Sequence, residues 1–349
     1  ARGKQCDLLR NFCEAHYSEA KNDLANVFLD RCLELSLTAR NGEGQGVVQI
    51  VMPQNWLFLS SYKIQRESLL KRVQWNLLAR LGEGGFDSPQ AAGAFIILLT
   101  QTNAPAAIGH QLRGVDANAP KSSMGKAKLL RGDAPLVTVS QLGQLRNPDA
   151  RVSLSDEVVG TLLNTISHSH HGLVCGDRPR MTVYFWEVNG KKDVWIHYCG
   201  TVLDTMHYGG KETYLRWCNG TGAIKELKGA TNLETHAWER RGVVVSAMRE
   251  LPVTLYTGMA FDNNTAVITA DRDEHLPAIW CFCSSPDYNE AVRCIDQTLK
   301  VTNATLVKIP FDLAHWQQVA AERYPNGLPK PYSDDPSQWI FHGHPQPST

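Results

Sequence analysis

The spacing of hydrophobic residues divides the first hundred positions into alternating helices and strands. Apolar residues recur at three- and four-residue steps within residues 5–38 and 62–73, which predicts amphipathic helices. Residues 46–52 form a nearly continuous β-branched run, which predicts a strand covered on both faces. Residues 75–81 and 93–100 repeat that strand pattern. Helices that alternate with buried strands predict the back half of a doubly wound α/β sheet.

The pattern changes after the third predicted strand. Glycines and prolines interrupt residues 103–135, which predicts a linker or an extended arm. Residues 136–250 contain short apolar runs rich in aromatic and β-branched side chains, which favours mixed or mainly β structure. The pattern of residues 276–299 predicts a helix that is interrupted by a Ser-Ser-Pro sequence. We therefore predict four segments: an α/β domain (1–104), a linker or arm (105–135), a mixed, β-rich domain (136–320) and an extended, proline-rich tail (321–349).

Composition narrows the class of protein. Lysine plus arginine equals aspartate plus glutamate at 35 each, so the whole chain carries no basic signal for nucleic acid, although a local basic groove is compatible with it. The nine cysteines are odd in number and have no repeated spacing, which indicates reduced thiols in a cytoplasmic protein. No apolar run reaches the roughly 18 residues needed to span a bilayer, so we expect no membrane partner.

One group of candidate binding residues follows the first predicted strand. Gln54, Asn55 and Trp56 come just after its carboxyl end, where ligands bind in open α/β sheets. Their amides offer hydrogen bonds and the indole offers a flat stacking surface. An equally simple interpretation is that Asn55 caps a helix and Trp56 fills the core.

Catalytic and metal motifs are weak. Neither of two groups of histidines and cysteines has the paired spacing of a zinc site, so we predict no metal and interpret them as a polar loop and core thiols. Nucleophile-elbow and phosphate-loop motifs do not occur. An unrelated hydrolase that uses these groups stays open as an alternative. The groups are His168, His170 and His171 with Cys175, and Cys281 and Cys283 with Cys294.

Basic and aromatic residues are interleaved within residues 178–180, 211–217 and 238–241. Arginine and lysine hold phosphates, amide side chains read base edges, and aromatic rings stack on unpaired bases. For any one of these stretches, an ordinary sheet surface with paired charges explains the composition as well.

Several stretches form a recognisable set when they are taken together. The specific ones are 22–28 with 32–35, 46–59, 62–70, 81–87 and 93–99; weaker ones are 176–177, 185–187, 208–210, 217–220 and 331–345. As a set they resemble the adenine-N6 DNA methyltransferases of the gamma arrangement, in which the catalytic domain precedes the target-recognition domain. The resemblance is nearest to the large methyltransferases of the BREX and DISARM phage-defence systems and to type IIG restriction–modification enzymes.

This resemblance implies a Rossmann-like catalytic sheet, a β-rich domain that recognises double-stranded DNA, and methyl transfer from S-adenosylmethionine to a flipped adenine. The family's cofactor motif, DPxxGSG, and its adenine motif, [NDS]PP[YF], do not occur in this sequence. In the family both precede the helix seen at 22–38. The chain is therefore expected to be the carboxyl-terminal part of such an enzyme and inactive alone, with the missing half on another chain or removed.

The resemblance also implies roles for individual residues. Asp23 is expected near the cofactor or adenine pocket. Phe95 is expected to pack on the flipped base, with Gln54, Asn55 and Trp56 in the same base pocket, although a core position explains Phe95 as well. No catalytic residue is assigned. The alternative function is a non-enzymatic specificity subunit that docks on a partner methyltransferase chain or another defence subunit. The residues expected to contact DNA are Arg178, Arg180, Arg216, Arg240 and Arg241.

Overall fold

The structure is a computed structural model in which the chain divides into two compact units, Ala1–Val158 (unit 1) and Val159–Thr349 (unit 2). The matches within 331–345 lie outside the described residues. No helix among the described residues combines the length and the apolar character that a membrane span requires. The described residues are 3, 5–37, 45–91, 93–132, 134–154, 160–188, 194–233 and 235–330.

Unit 1 is a mixed α/β structure around one five-stranded sheet, with strand order β1-β3-β2-β4-β5. The three strands and the helix at 62–73 that periodicity predicts within the first hundred residues are confirmed, with small shifts of their ends, whereas the stretch 5–38 contains two helices separated by residues 17–23. The helices are α1 (Asp7–His16), α2 (Leu24–Leu35), α3 (Lys63–Arg72) and α4 (Ser123–Arg131), and the strands are β1 (Val47–Pro53), β2 (Gln74–Gly82), β3 (Ile96–Thr102), β4 (Gln111–Asp116) and β5 (Val137–Ser140).

The strands of this sheet run in both directions. β3 lies between β1 and β2 and is antiparallel to both, so β1 and β2 are parallel to each other. Helix α3 connects β1 to β2, which is the crossover connection that parallel strands need. β4 is parallel to β2, and β5 is antiparallel to β4. The α/β class is as predicted, but the sheet is mixed rather than parallel.

Strand β1 is covered on one face only among the described residues. Val48 and Met52 are buried, whereas Val47 and Val51 are 60% and 52% exposed. The expectation of a strand covered on both faces is therefore wrong for these residues. A β-branched run predicts a strand, but which faces are covered depends on elements far away in the sequence.

The stretch predicted as a linker or arm contributes β4 and α4 to the sheet and its cover. Gly114 is one of the glycines that predict a linker from the sequence. In the structure it lies within β4, where a Cβ atom would meet Leu154 Cδ2 at 2.1 Å. Lys126, although charged, is buried and donates hydrogen bonds to the carbonyl oxygens of Leu81 and Ala117. Glycine here serves close packing rather than flexibility.

Unit 2 contains two four-stranded sheets, ordered β11-β10-β13-β6 and β12-β8-β9-β7. The helix interrupted by Ser-Ser-Pro is confirmed as α6 and α7, whereas α8 and β6 were not predicted. The strands are β6 (Ser167–His171), β7 (Thr182–Tyr184), β8 (Trp195–Cys199), β9 (Thr213–Arg216), β10 (Gly242–Ser246), β11 (Val253–Tyr256), β12 (Ala260–Phe261) and β13 (Thr265–Ala270), and the helices are α5 (Arg178–Met181), α6 (Leu276–Cys283), α7 (Pro286–Ile295) and α8 (Leu313–Arg323).

The largest core of unit 2 lies between the first of these sheets and α6 to α8. Val243 and Ile268 of the sheet are fully buried against it, and Phe282 of α6 packs on Trp316 of α8 with ring centroids 5.2 Å apart. A separate core lies under the second sheet, where Tyr198 and Leu215 are fully buried. A third core contains Val244 and Val267 of the first sheet together with Cys199 and Phe261 of the second, so the first sheet is buried on both faces.

Candidate nucleic-acid interface

The predicted base-pocket residues lie together at one end of β1 and β3. The backbone N–H of Gln54 donates a hydrogen bond to the carbonyl oxygen of Phe95 at 2.8 Å. Gln54 is buried, while Asn55 and Phe95 are half-buried. Phe95 directly precedes β3 rather than lying within it. The structure therefore brings these three residues together, and their role in a base pocket stays a prediction.

Trp56 does not belong to an accessible pocket. It is fully buried, and its ring centroid lies 5.6 Å from that of Trp75 in β2. Stacking on a base would require this pair to separate and the core to repack. The expectation that Trp56 contacts a base is therefore wrong for this structure, and the core position is its role.

Asp23 is the N-cap of α2. Its Oδ1 atom accepts a hydrogen bond from the backbone N–H of Ala25 at 3.0 Å. Its charge also contributes to raising the pKa of Tyr62 to about 12, although burial of the phenol is the larger cause. The carboxylate therefore caps α2, and this hydrogen bond reduces its capacity to bind a cofactor.

Three of the five candidate DNA-contacting arginines lie on one sheet of unit 2. Arg178 and Arg180 are in α5, which leads directly into edge strand β7. Thr182, the first residue of β7, pairs with Leu215, and Arg216 follows Leu215 in β9. All three arginines are exposed. The register therefore gathers them at one end of this sheet, as a basic patch for phosphates requires.

Arg178 also has a structural contact. Its Nη1 atom lies 3.3 Å from Oδ2 of Asp262, which is buried and also accepts a hydrogen bond from the Tyr198 hydroxyl at 3.0 Å. Burial, and then the neighbouring Asp262 charge, raise the pKa of Tyr198, which keeps the phenol a donor. Arg178 therefore neutralises a buried carboxylate, and Arg180 and Arg216 are better placed for a ligand.

Arg240 and Arg241 belong to the other sheet, immediately before β10. Arg240 donates a hydrogen bond through Nη2 to the carbonyl oxygen of Ala270 at 2.7 Å, and Arg241 is exposed. Burial lowers the pKa of the nearby His170, and the positive charge of Arg240 lowers it further. These two arginines therefore form a second basic group, separate from the first.

The histidine-rich run is a strand rather than the polar loop that its composition indicated. It forms β6 at the edge of its sheet, paired with β13. His168 Nε2 lies 3.2 Å from Asp271 Oδ1, and His170 Nε2 lies 2.9 Å from Thr269 Oγ1. Polar partners on β13 and directly after it thus take the place of the apolar alternation that usually identifies a strand.

The cysteine groups do not form a reactive site. Cys281 and Cys283 are buried in α6, and burial raises the pKa of both thiols, which keeps them protonated. Within the described ranges, no group of three or more His, Cys, Asp or Glu side chains could hold a metal ion. These thiols are core residues.

The fold of the chain is similar to that of part of a solved structure. The type IIL restriction–modification enzyme MmeI in complex with DNA aligns with 93% of this chain at a TM-score of 0.58 and 10% sequence identity. The chain shares its fold with part of a restriction–modification enzyme. A DrdV–DNA complex aligns with 94% of the chain at a TM-score of 0.47 and 9% identity. No protein-family model and no curated protein sequence matches the chain.

The chain aligns with only part of each of these proteins. The chain covers 49% of the MmeI chain and 44% of the DrdV chain. The type IIG restriction endonuclease BpuSI also aligns, with 85% of this chain and 43% of its own, at a TM-score of 0.29 and 11% identity. The chain thus spans about half the length of the restriction–modification enzymes that it matches.

Proposed function

We propose that this chain is the DNA-binding, target-recognition portion of an S-adenosylmethionine-dependent DNA adenine-N6 methyltransferase from a restriction–modification or phage-defence system of the BREX or DISARM type. Unit 1 is then the end of a Rossmann-like catalytic domain, and unit 2 selects the DNA sequence. The target adenine would leave the helix, which costs a few kcal/mol of stacking and pairing.

The observation that carries the proposal is the fold shared with MmeI over 93% of the chain. The basic group of Arg180 and Arg216 supports a DNA contact in unit 2. In unit 1, Gln54, Asn55 and Phe95 stay candidates for the base pocket. Asp23 stays a candidate beside the cofactor, but its carboxylate caps α2 and so does not by itself fit S-adenosylmethionine. The chain alone is therefore not expected to transfer methyl groups.

The alternative, a specificity subunit that docks on a partner methyltransferase, is supported by the edge of the sheet in unit 1. β1 is an end strand of the described sheet and exposes Val47 and Val51. Apolar edge strands are usually covered or blocked by charge. A partner chain that carries the DPxxGSG and [NDS]PP[YF] motifs could add a strand there.

Salt-dependent binding to duplex DNA tests the proposal. The chain has equal numbers of basic and acidic residues, so binding must come from local groups such as Arg180 and Arg216. The logarithm of the association constant should fall linearly with the logarithm of salt concentration, by about 0.9 for each phosphate contact. Fluorescence anisotropy of a labelled duplex measures this slope. Absence of binding at low salt would refute the DNA-binding function.

Single substitutions locate the contact. Arg180→Ala and Arg216→Ala should each weaken binding to all duplex sequences and reduce the salt slope by about 1, because each removes one phosphate contact. Arg272→Ala is the matched control, because Arg272 is exposed in the same unit and paired with Glu274 at 3.2 Å. An equal loss in the control would show that the effect is one of total charge rather than of this patch.

A further inference from the structure

The sheet β12-β8-β9-β7 has a second face that is buried where Cys199 and Phe261 pack with Val244 and is only half-buried toward the start of β8. Tyr198 of β8 and Leu215 of β9 are fully buried and point into the core. Because side chains alternate along a strand, Trp195 and His197 of β8 point to the opposite face. Both are half-buried rather than fully buried. At this end the opposite face is therefore accessible from solvent and carries aromatic rings.

Cross-strand pairing makes this face continuous. Trp195 lies directly opposite Arg216, and His197 lies opposite Tyr214. The rings of His197 and Tyr214 are in contact edge to face, with centroids 4.7 Å apart. Val183 of β7 pairs with Tyr214 on its other side. We call Trp195, His197, Tyr214 and Arg216 the aromatic face.

An exposed aromatic pair lies at the end of the edge strand β7. Tyr184 and Trp186 stack with centroids 4.5 Å apart and planes inclined by 6°. They are 49% and 62% exposed. Tyr184 pairs with Thr213, which pairs with the buried Tyr198, so Tyr184 lies on the other side of the sheet from Tyr214. This exposed pair is therefore not part of the aromatic face.

The chemistry of the aromatic face fits one class of ligand. Among the paired positions of this face, Val183 is aliphatic and the others are aromatic or basic. Rings offer π surfaces to bases, and a guanidinium offers donors to phosphate. A sheet face with this composition is the arrangement by which single-stranded nucleic acid is held.

We propose that the aromatic face binds unpaired DNA bases by stacking on Trp195 and Tyr214, with Arg216 contacting the adjacent phosphate. This inference rests on the proposed function, because flipping a base leaves unpaired nucleotides in the duplex. The face would bind those nucleotides, and the chain would prefer DNA with unpaired bases to a perfect duplex.

Binding to a short labelled oligothymidylate tests the proposal by fluorescence anisotropy. Trp195→Ala and Tyr214→Ala should each weaken binding by about five- to 100-fold, the effect of losing one base–aromatic stack. Trp195→Phe and Tyr214→Phe keep a ring and should retain most of the affinity. Phe28→Ala is the control, because Phe28 is an exposed aromatic residue in unit 1. Thermal unfolding of each variant checks that it is folded.

The outcomes separate this proposal from the proposed function. No binding of oligothymidylate by a chain that binds perfect duplex overturns the aromatic face alone. Binding that Trp195→Ala and Tyr214→Ala leave unchanged also overturns it. If the chain binds oligothymidylate but does not bind duplex at low salt, the target-recognition function is overturned and base stacking on the aromatic face is supported. A loss in the alanine variants that the phenylalanine variants restore supports the stacking role over a structural one.

Discussion

At the scale of single residues, Arg66 shows how unit 1 holds its loops. This side chain of α3 is fully buried, and its guanidinium donates hydrogen bonds to the carbonyl oxygens of Trp56, Leu59, Asp149 and Ala150. Asp149 and Ala150 have φ values of 56° and 51°, in the left-handed region that costs non-glycine residues energy. Burial lowers the pKa of Arg66 to about 10, so it stays charged at neutral pH.

Replacing Arg66 should strongly destabilise unit 1. Arg66→Met leaves two buried and two partly buried carbonyl oxygens without their donor, and we expect a loss of about 3–5 kcal/mol in the free energy of unfolding. Arg66→Lys should lose less stability than Arg66→Met but should not match the parent chain, because an ammonium lacks the planar fork of five donors. Lys63→Ala on the same helix, with an exposed side chain, should change stability by less than about 0.5 kcal/mol. Urea unfolding measures the stability of all three variants. Equal losses in Arg66→Met and Arg66→Lys would contradict a role for the hydrogen bonds of the guanidinium.

Lys211 is a second buried cation and predicts a pH dependence. Burial lowers its pKa from the usual 10.5 to about 8 in the folded chain. Its Nζ atom lies 4.5 Å from the centroid of the Tyr208 ring and 3.4 Å from Thr257 Oγ1. The unfolded chain keeps this proton up to a higher pH than the folded chain does. Lys211 therefore destabilises the fold below its folded pKa, and the penalty disappears as pH rises from about 8 to 10.5.

Lys211→Met should remove that penalty. At neutral pH we expect the variant to be more stable than the parent chain by about 1–3 kcal/mol, because a buried charge is replaced by an apolar side chain of similar length. The advantage should shrink toward zero as pH approaches 10.5. Urea unfolding of both chains across this pH range measures the difference. A difference independent of pH would contradict the role of the buried charge.

At the scale of elements, local patterns predicted where strands occur but not how they pair. The β-branched run of β1 identifies a strand, yet whether β3 inserts between β1 and β2 depends on contacts some fifty residues away in sequence. β6 has no apolar alternation because its side chains find polar partners: His170 contacts Thr269 of β13, whereas Ser169 donates to Asn303. Gly114 of β4 indicated a linker because close packing against Leu154 cannot be seen in the sequence.

The exposed edge of β1 gives a prediction for an element. Val47→Lys and Val51→Lys should leave the stability of this chain within about 0.5 kcal/mol, since both side chains are already exposed. If β1 accepts a partner strand, the same changes should abolish co-purification with a chain that carries DPxxGSG, because lysine on an edge blocks pairing. Ile64→Lys, at a 65% exposed position on α3, is the control. Undiminished co-purification of the β1 variants would exclude docking at this edge.

At the scale of the whole molecule, the candidate site could be predicted only in part. Interleaved basic and aromatic residues pointed to Arg180 and Arg216, which the register of β7 and β9 brings to one end of a sheet. Trp195 was not identified, because its role depends on Arg216 lying opposite it across two strands. Trp56 was misassigned because an indole after a strand has the same sequence pattern in a pocket and in a core.

Under the proposed function, this chain recognises DNA and another chain carries the cofactor and adenine motifs. This proposal predicts when methyl groups are transferred to DNA. Incubated alone with duplex DNA and radioactive S-adenosylmethionine, the chain should incorporate no label, because DPxxGSG and [NDS]PP[YF] do not occur in its sequence. Adding a partner chain that carries both motifs should restore labelling. Arg216→Ala should then reduce the labelling through weaker DNA binding, so that a higher DNA concentration rescues it. Labelling by the chain alone would refute this proposal, because the residues that bind cofactor and adenine would have to lie within the chain.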